Sequence, residues 1–316
     1  MIVDVIGDIH GNVHKLIGLL EQLGYVHNGV YFVPPNGHRA LFIGDLIDRG
    51  ADQLATLEIV FAMIDAGVAD AVMGNHEYNA LAFATPHPED SSRYLRSHSE
   101  AHIRQHKAFL DEAPMGSQAH HYWLARLYEL PLWIETAYGC FVHACWDVRS
   151  MAVLQPLLTE QNTLTYQALV ATSKEDSPEY DALERVLKGV EAPLPEGITM
   201  VDKEGTTRKQ VRVRWWLDNL HARSIHEIAR APKRELAQIP ADAMACNIDF
   251  ALHTDKPVFV GHYWLTGAPV PLSSQVICTD YSAAADSGYL TCYQLDTDAP
   301  LPLHADNFIQ HDHGQT

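Results

Sequence analysis

The sequence predicts an α/β fold. Short apolar runs of strand length recur at residues 2–6, 40–43 and 69–73. Stretches of helical periodicity join them. Each run stops at a glycine followed by side chains that bind metals or anions: Gly7-Asp8, Gly44-Asp45 and Gly74-Asn75-His76. Strands joined by helix-bearing connections pair in parallel, so their ends share one rim. Open α/β sheets keep their ligands on that rim.

The first strand, residues 2–6, ends in Gly7-Asp8-Ile9-His10-Gly11-Asn12. The glycines permit a tight turn, and Asp8 and His10, two apart in extended chain, point to the same side. Asn12 is placed to cap a helix over 13–23, with Leu16, Leu19, Leu20 and Leu23 on one apolar face. Val30-Tyr31-Phe32-Val33, closed by Pro34-Pro35-Asn36-Gly37, reads as a small hairpin or edge strand. The second strand, 40–43, delivers Gly44-Asp45-Leu46-Ile47-Asp48-Arg49-Gly50, two carboxylates and a guanidinium in one short loop. Residues 51–66 form a helix with Leu54, Leu57, Val60, Phe61 and Ile64 inward. The third strand, 69–73, ends in Gly74-Asn75-His76-Glu77.

Residues 81–130 read as mostly helical, broken at Thr85-Pro86-His87-Pro88, with a long helix over 93–112 capped by Ser91 and Ser92. His98, His102 and His106 recur on it at four-residue spacing. With Arg, Glu, Gln and Lys between them, they read as a solvated face rather than a metal site. Strand pattern returns at 132–135 and 140–144, the latter carrying His143. Residues 147–256 read as an irregular insertion. It holds a hairpin, 197–201 turning at 202–205 into 209–213, and helical segments to about 245. The strand 257–260 ends in Gly261-His262, repeating the strand–glycine–ligand pattern. Residues 275–278 and 289–295 read as closing strands, and the tail after Asp296 as loose.

Lys and Arg total 22 against 40 Asp and Glu, a net charge of −18. Such a surface repels polyanions and argues against broad nucleic-acid binding. It still permits a small anionic substrate where metal ions supply local positive charge. Cys140, Cys145, Cys246, Cys278 and Cys292 form no C-x-x-C pair and read as buried free thiols in a reducing compartment. The first residues already read as a strand rather than a leader, and no apolar stretch is long enough to span a membrane. The chain therefore reads as a soluble cytoplasmic protein; oligomeric state is not legible.

Collected at the strand ends, Asp8, His10, Asp45, Asn75, His143 and His262 would clamp two first-row divalent cations, one carboxylate bridging. A hydroxide between them would be a strong nucleophile at neutral pH. His76 would protonate the leaving oxygen while Asp48 fixes its tautomer, and Arg49 would grip a phosphate bidentately.

These blocks, in this order and spacing, resemble the calcineurin-like metallophosphoesterases. Asp48-Arg49-Gly50 is similar to the phosphoprotein-phosphatase-like branch. The resemblance covers residues 2–80 closely, then segments around 140–146 and 257–281. It implies a four-layer α/β/β/α sandwich of two mixed β-sheets, a single domain over 1–316. Insertions at about 81–135 and 147–256 would form a largely helical cap or specificity region. It implies one metal on Asp8, His10 and Asp45 and another on Asp45, Asn75, His143 and His262. The ions would be Mn2+, with Fe or Zn as alternatives. His76, Asp48 and Arg49 would be catalytic. His262-Tyr263-Trp264 lacks the second histidine of the family's nucleases. Asn12 and Met73 stand where the eukaryotic protein phosphatases have glutamine and arginine, so the chain looks like a bacterial-type relative.

The expected activity is hydrolysis of phosphate monoesters, on phosphoprotein Ser/Thr or a small phosphoester. The alternative is cleavage of dinucleoside tetraphosphates, with Trp215, Trp216 and Trp264 able to stack on a base. A metal-binding regulatory module without catalysis is the third reading, opposed by the presence of His76, Asp48 and Arg49. Arg212 and Arg214 are the candidates for a second substrate-binding arginine, and Asp280 and Tyr281 for support of the site.

Overall fold

The computed structural model describes residues 1–201, 207–244, 248 and 250–312. Strand β1 (Ile2–Ile6) pairs in parallel with β2 (His38–Phe42), and β2 in parallel with β3 (Ala69–Ala71). The connections carry α1 (Val13–Gln22) and α2 (Gln53–Asp65). The three strand ends therefore share one rim, as the sequence pattern predicts. A second sheet orders β4 (Trp133–Glu135), β5 (Cys140–Val142), β6 (Val258–Val260) and β7 (Val276–Cys278). Its β5–β6 and β6–β7 pairs are parallel, and its β4–β5 pair is antiparallel. The chain then returns to the first sheet through β8 (Asp280–Tyr281), β9 (Tyr289–Asp296) and β10 (Phe308–His311). There β9 runs antiparallel to β1, with Ile2 opposite Asp296 and Ile6 opposite Cys292.

Two-residue alternation decides which side chains lie between the sheets. Val3, Val5, Leu41 and Ile43 from the first meet Phe141, Phe259 and Ile277 from the second, the two phenylalanine rings stacked at 5.1 Å. Ile6, Phe42, Leu16, Leu19, Leu20, Leu57 and Val60 belong to the larger core that the helices cover. Asp4, buried within β1, is matched by Tyr25 Oη at 2.8 Å, His38 Nδ1 at 2.9 Å and Gln294 Nε2 at 2.8 Å. Lys15 on α1 is also buried; its ammonium donates to the carbonyls of Ala283 at 2.7 Å and Gly288 at 2.8 Å, tying α1 to the turn before β9.

Several sequence expectations need correction. The tail after Asp296 is not loose: β10 adds four residues to the edge of β9, and Phe308 packs on Tyr293 at 4.9 Å. After α3 (Asn75–Ala84), Asp90–Tyr94 pairs with Pro86–His87 as a short hairpin, so no helix starts at 93. The helix α4 (Glu100–Glu112) begins after Ser99, whose hydroxyl caps the His102 amide; Ser91 and Ser92 are not caps. Helix α5 (Gln118–Leu127) follows. In the second insertion the helices come first: α6 (Val148–Leu154), α7 (Tyr166–Thr172) and α8 (Pro178–Lys188). Met200–Val201 does pair antiparallel, but with Thr207–Arg208, while Gln210–Arg212 pairs with Glu191–Pro193. The expected turn at 202–205 lies outside the described residues. Among the described residues beyond Trp216 only short turns of helix form, Ile225–Ile228 and Lys233–Leu236 among them. Cys140, Cys145, Cys278 and Cys292 are buried free thiols, and Cys246 lies outside the described residues. No helix among the described residues is long and apolar enough to cross a membrane.

Candidate metal centre and active site

Each ligand-type side chain sits where a strand runs out: Asp8 and His10 after β1, Asp45 after β2, Asn75 after β3, His143 after β5 and His262 after β6. The backbone there is strained. His10 (φ 51°), Asp45 (φ 49°), Asp48 (φ 68°), Arg49 (φ 78°), His262 (φ 69°) and Trp264 (φ 49°) are all left-handed. Non-glycine residues rarely adopt that region, and such strain gathers at functional sites. Two glycines let the loops close on one another: a Cβ on Gly74 would collide with the amide and carboxylate of Asp45, and one on Gly261 with Asp8. Asn12 does not cap α1. Its side-chain amide donates to the carbonyls of Ile9 at 2.8 Å and His10 at 2.9 Å, bracing the first loop instead.

Two donor sets share Asp45. One is His10, Asp45 and His76; the other is Asp45, His143 and His262; within each, ligand atoms lie within 4.8 Å of one another. Asp45 Oδ2 stands 3.6 Å from His10 Nε2 and 3.9 Å from His76 Nε2, and Oδ1 stands 3.3 Å from His143 Nε2. Asn75 Oδ1 lies 3.2 Å from His143 Nε2 and 2.8 Å from His262 Nδ1. Asp8 is buried beside them, its carboxylate accepting the His262 amide at 3.0 and 3.2 Å. His10 and His143 each donate Nδ1–H to a backbone carbonyl, of Ile47 at 2.9 Å and of Ile43 at 2.7 Å. That fixes the tautomer and leaves Nε2 as a lone pair toward Asp45. The His10 Nε2 is buried with no hydrogen-bond partner among the described residues.

Two donors held at about 2.1 Å by one ion stand roughly 3.0–3.5 Å apart. The nitrogens nearest Asp45 approach that spacing, and those of His10 and His76 are too far for a direct hydrogen bond. An oxygen-and-imidazole set without thiolate suits first-row divalent cations. The residues present therefore fit divalent cations, which each donor set would hold with Asp45 as the shared residue. The electrostatics agree. Burial drives His10 down to about 3, so its imidazole stays neutral. Burial alone would raise Asp45, but His143, His76 and His10 hold it well below the usual carboxylate range. Burial, Asp280 and Asp45 push Asp8 well up. Carboxylates crowded this way call for positive charge among them.

Beside the donor sets, His76 Nδ1 lies 2.7 Å from Asp48 Oδ2, and the other oxygen of Asp48 lies 2.9 Å from His106 Nδ1. Burial would raise Asp48, yet the hydrogen bonds from His106 and His76 bring it to about 2. Burial would lower His76, but Asp45 and Asp48 raise it, which favours the protonated imidazole. Arg49 lies over the Trp264 ring at 4.1 Å. Arg212 Nη1 donates to His262 Nε2 at 2.9 Å. Arg49, Arg212, Asp45 and His76 line one cavity of about 280 Å³.

Sequence reasoning missed or misplaced several of these residues. His106 is not on a solvated face: it is 5% exposed and bonded to Asp48. The buried Phe109, three residues on, marks the inward stripe of α4 and was the available signal. His98 lies between Phe83 and Tyr94, at 3.9 and 4.0 Å, and His102 is half-buried against the Ser97 carbonyl. Glu77 carried no expected role, yet its buried carboxylate accepts the amides of Asp45, Leu46 and Gly74 at 2.8–2.9 Å and of Ile47 at 3.2 Å. Burial and the Asp45 charge raise it to about 7. Arg214 is exposed and does not line the cavity, because it falls past the end of the strand that carries Arg212. Trp215 and Trp216 are core; Trp215 Nε1 donates to Tyr263 Oη at 2.7 Å. Of the three tryptophans, Trp264 alone lines the site. Asp280 braces it from behind, accepting the Trp264 amide at 2.6 Å and the Ser282 amide at 2.9 Å. Tyr281 instead accepts the Val270 amide at 3.2 Å.

Residues 1–129 match the family described as calcineurin-like phosphoesterase. The asymmetrical bis(5'-nucleosyl)-tetraphosphatase of Geobacillus thermodenitrificans is 43% identical over 76 residues, 24% of this chain and 31% of that protein. Its counterpart in Anoxybacillus flavithermus is 42% identical over the same length, with the same shares. The match thus spans less than a third of the length of these curated relatives. A solved protein serine/threonine phosphatase from Saccharomyces cerevisiae aligns with 100% of this chain and 81% of its own, at a TM-score of 0.52 and 12% identity. At that identity the likeness is one of fold.

Proposed function

We propose that the chain, whose residues 1–129 match the calcineurin-like phosphoesterase family, is a two-metal phosphoesterase hydrolysing phosphate monoesters. The observation that carries the reading is Asp45 standing among His10, His76, His143 and His262, with His76 also held by Asp48 and Arg49 lining the same cavity. Asp8, His10 and Asp45 would hold one cation, and Asp45, Asn75, His143 and His262 the other. Mn2+ is the expected ion, with Fe or Zn as alternatives. Bound there, the cations supply an activated water and offset the charge of the phosphoryl oxygens. Arg49 and Arg212 orient those oxygens. His76 gives a proton to the leaving oxygen, and Asp48 keeps its Nδ1–H engaged. In this reading the whole chain is one domain, a four-layer α/β/β/α sandwich, and residues 81–135 and 147–256 form the cap that sets specificity. The free thiols at Cys140, Cys145, Cys278 and Cys292 favour a reducing compartment.

The second reading is hydrolysis of a dinucleoside tetraphosphate. The names of the relatives over their 76 matched residues favour it, as does Trp264 at the cavity. Protein stripped of metal and refilled with Mn2+ is assayed on a phosphopeptide, p-nitrophenyl phosphate and diadenosine tetraphosphate, with Asp45→Asn and His76→Ala as controls. We expect turnover that falls at least 100-fold in both variants. Preference for the phosphopeptide supports protein dephosphorylation, and preference for the tetraphosphate supports the second reading. Equal inactivity of wild type and variants on all three substrates sinks the catalytic assignment.

A further inference from the structure

Four cationic side chains line the cavity over Asp45 and His76. Besides Arg49 and Arg212 it is lined by Arg96 and Lys188, which belong to no recognised block of the sequence. Arg96 lies in the link before α4, and Lys188 is the last residue of α8, so the first insertion sends Arg96 and the second sends Lys188 as well as Arg212 to the same space. Both are half-buried. Arg96 is braced by Gln105 Oε1 at 2.8 Å, and Lys188 by Glu184. Burial and the nearby charges of Arg96 and Arg212 pull Lys188 down despite Glu184. Like charges gathered out of water are costly unless an anion joins them. In a chain of net charge −18 the cluster is not a side effect of a basic surface.

The pair also marks a junction. Arg96, Lys188 and Asn79 line a second cavity of about 700 Å³, whose walls include Tyr94 and Tyr180 as well as Glu175 and Glu184. That volume falls within the range of small-ligand sites, and aromatic walls suit a planar ring.

We propose that Arg96 and Lys188 form a second anion subsite, holding a phosphate joined to the scissile one. The substrate is then a nucleoside polyphosphate whose nucleoside lies in the larger cavity. The shared cavity of about 280 Å³ suits a short phosphate chain better than two side chains of a peptide. The assignment deepens the second of those readings, hydrolysis of a nucleoside polyphosphate, and rests on the two-metal site for the position of the scissile phosphate.

Binding is measured on metal-free protein in chelator, with inorganic tripolyphosphate and orthophosphate as probes. Wild type should bind tripolyphosphate at least tenfold more tightly. The preference should fall at least fivefold in Arg96→Gln and in Lys188→Gln. Arg96→Lys and Lys188→Arg, which keep the charge and guard against misfolding, should retain it. With Mn2+ present, the glutamine variants should raise KM for diadenosine tetraphosphate at least tenfold more than KM for p-nitrophenyl phosphate. Equal binding of the two probes by wild type, or a preference that survives both glutamine variants, overturns the subsite. Tighter binding of a doubly phosphorylated peptide than of tripolyphosphate overturns the polyphosphate assignment. A protein that keeps the tripolyphosphate preference but cleaves no phosphoester upholds the subsite and removes the phosphoesterase reading.

Discussion

His106 meets the candidate site through Asp48. It holds one carboxylate oxygen while His76 takes the other, so His106 braces the His76 ring from behind Asp48. Replacing it with phenylalanine keeps a ring among Phe83 and Phe109 but removes the donor. We expect kcat to fall about tenfold, the usual scale for a mispositioned acid, with KM within twofold. His106→Gln, which still carries an N–H donor, should recover part of the loss. A KM effect as large as the kcat effect would contradict the positioning role. Glu77 is a different kind of residue, since it gathers four backbone amides from the loops on either side of Asp45. Glu77→Ala leaves those amides buried and unpaired, and should cost about 3 kcal/mol or more in chemical denaturation. A loss below 1 kcal/mol would mean that water replaces the carboxylate.

At the scale of elements, the site is assembled from strand ends, so anything that anchors those strands matters to it. Strand β10 looks expendable from sequence, yet it covers the open edge of β9, which in turn pairs with β1, the strand that leads to Asp8. Truncation after residue 304 uncovers that edge and removes the Phe308 contact with Tyr293. It should lower Tm by several degrees and promote association through the bared strand. An unchanged melting curve would show that β10 is decoration. Helix α4 offers a finer test. Ser99 is its cap, and Ser99→Ala should cost about 1 kcal/mol. Ser91→Ala should cost nearly nothing, since Ser91 lies in the hairpin Asp90–Tyr94. The sequence reading placed the cap eight residues early because charged residues at helical spacing continue through 93–99. The pairing of Asp90–Tyr94 with Pro86–His87 overrides that local preference.

At the scale of the molecule, Asp8, Asp45, Asp280 and Glu77 are brought together in a buried centre. Their mutual repulsion should make the fold depend on cations. Chelation should therefore lower Tm, and Mn2+ at 100 times its dissociation constant should restore about 2.7 kcal/mol. Asp45→Asn should melt at the same temperature with and without Mn2+ if Asp45 joins the two ligand sets. A full Mn2+ response in that variant would place the ions elsewhere.

The local part of this architecture was legible in the chain itself. Strand, glycine and ligand follow one another within a few residues at Asp8, Asp45, Asn75 and His262, and the apolar periodicity of α1 and α2 forces the strands between them to run parallel. Such information is carried by neighbours in sequence, because it depends only on alternation, helical period and the conformational freedom of glycine. What lies far apart in the chain was decided by the tertiary structure. Nothing near Arg96 or Lys188 says that two insertions meet over Asp45, and nothing near His106 says that it ends on Asp48, 58 residues away. Those contacts follow from packing the sheets and helices against one another, where any face left unsatisfied must find its partner across the fold rather than along the chain.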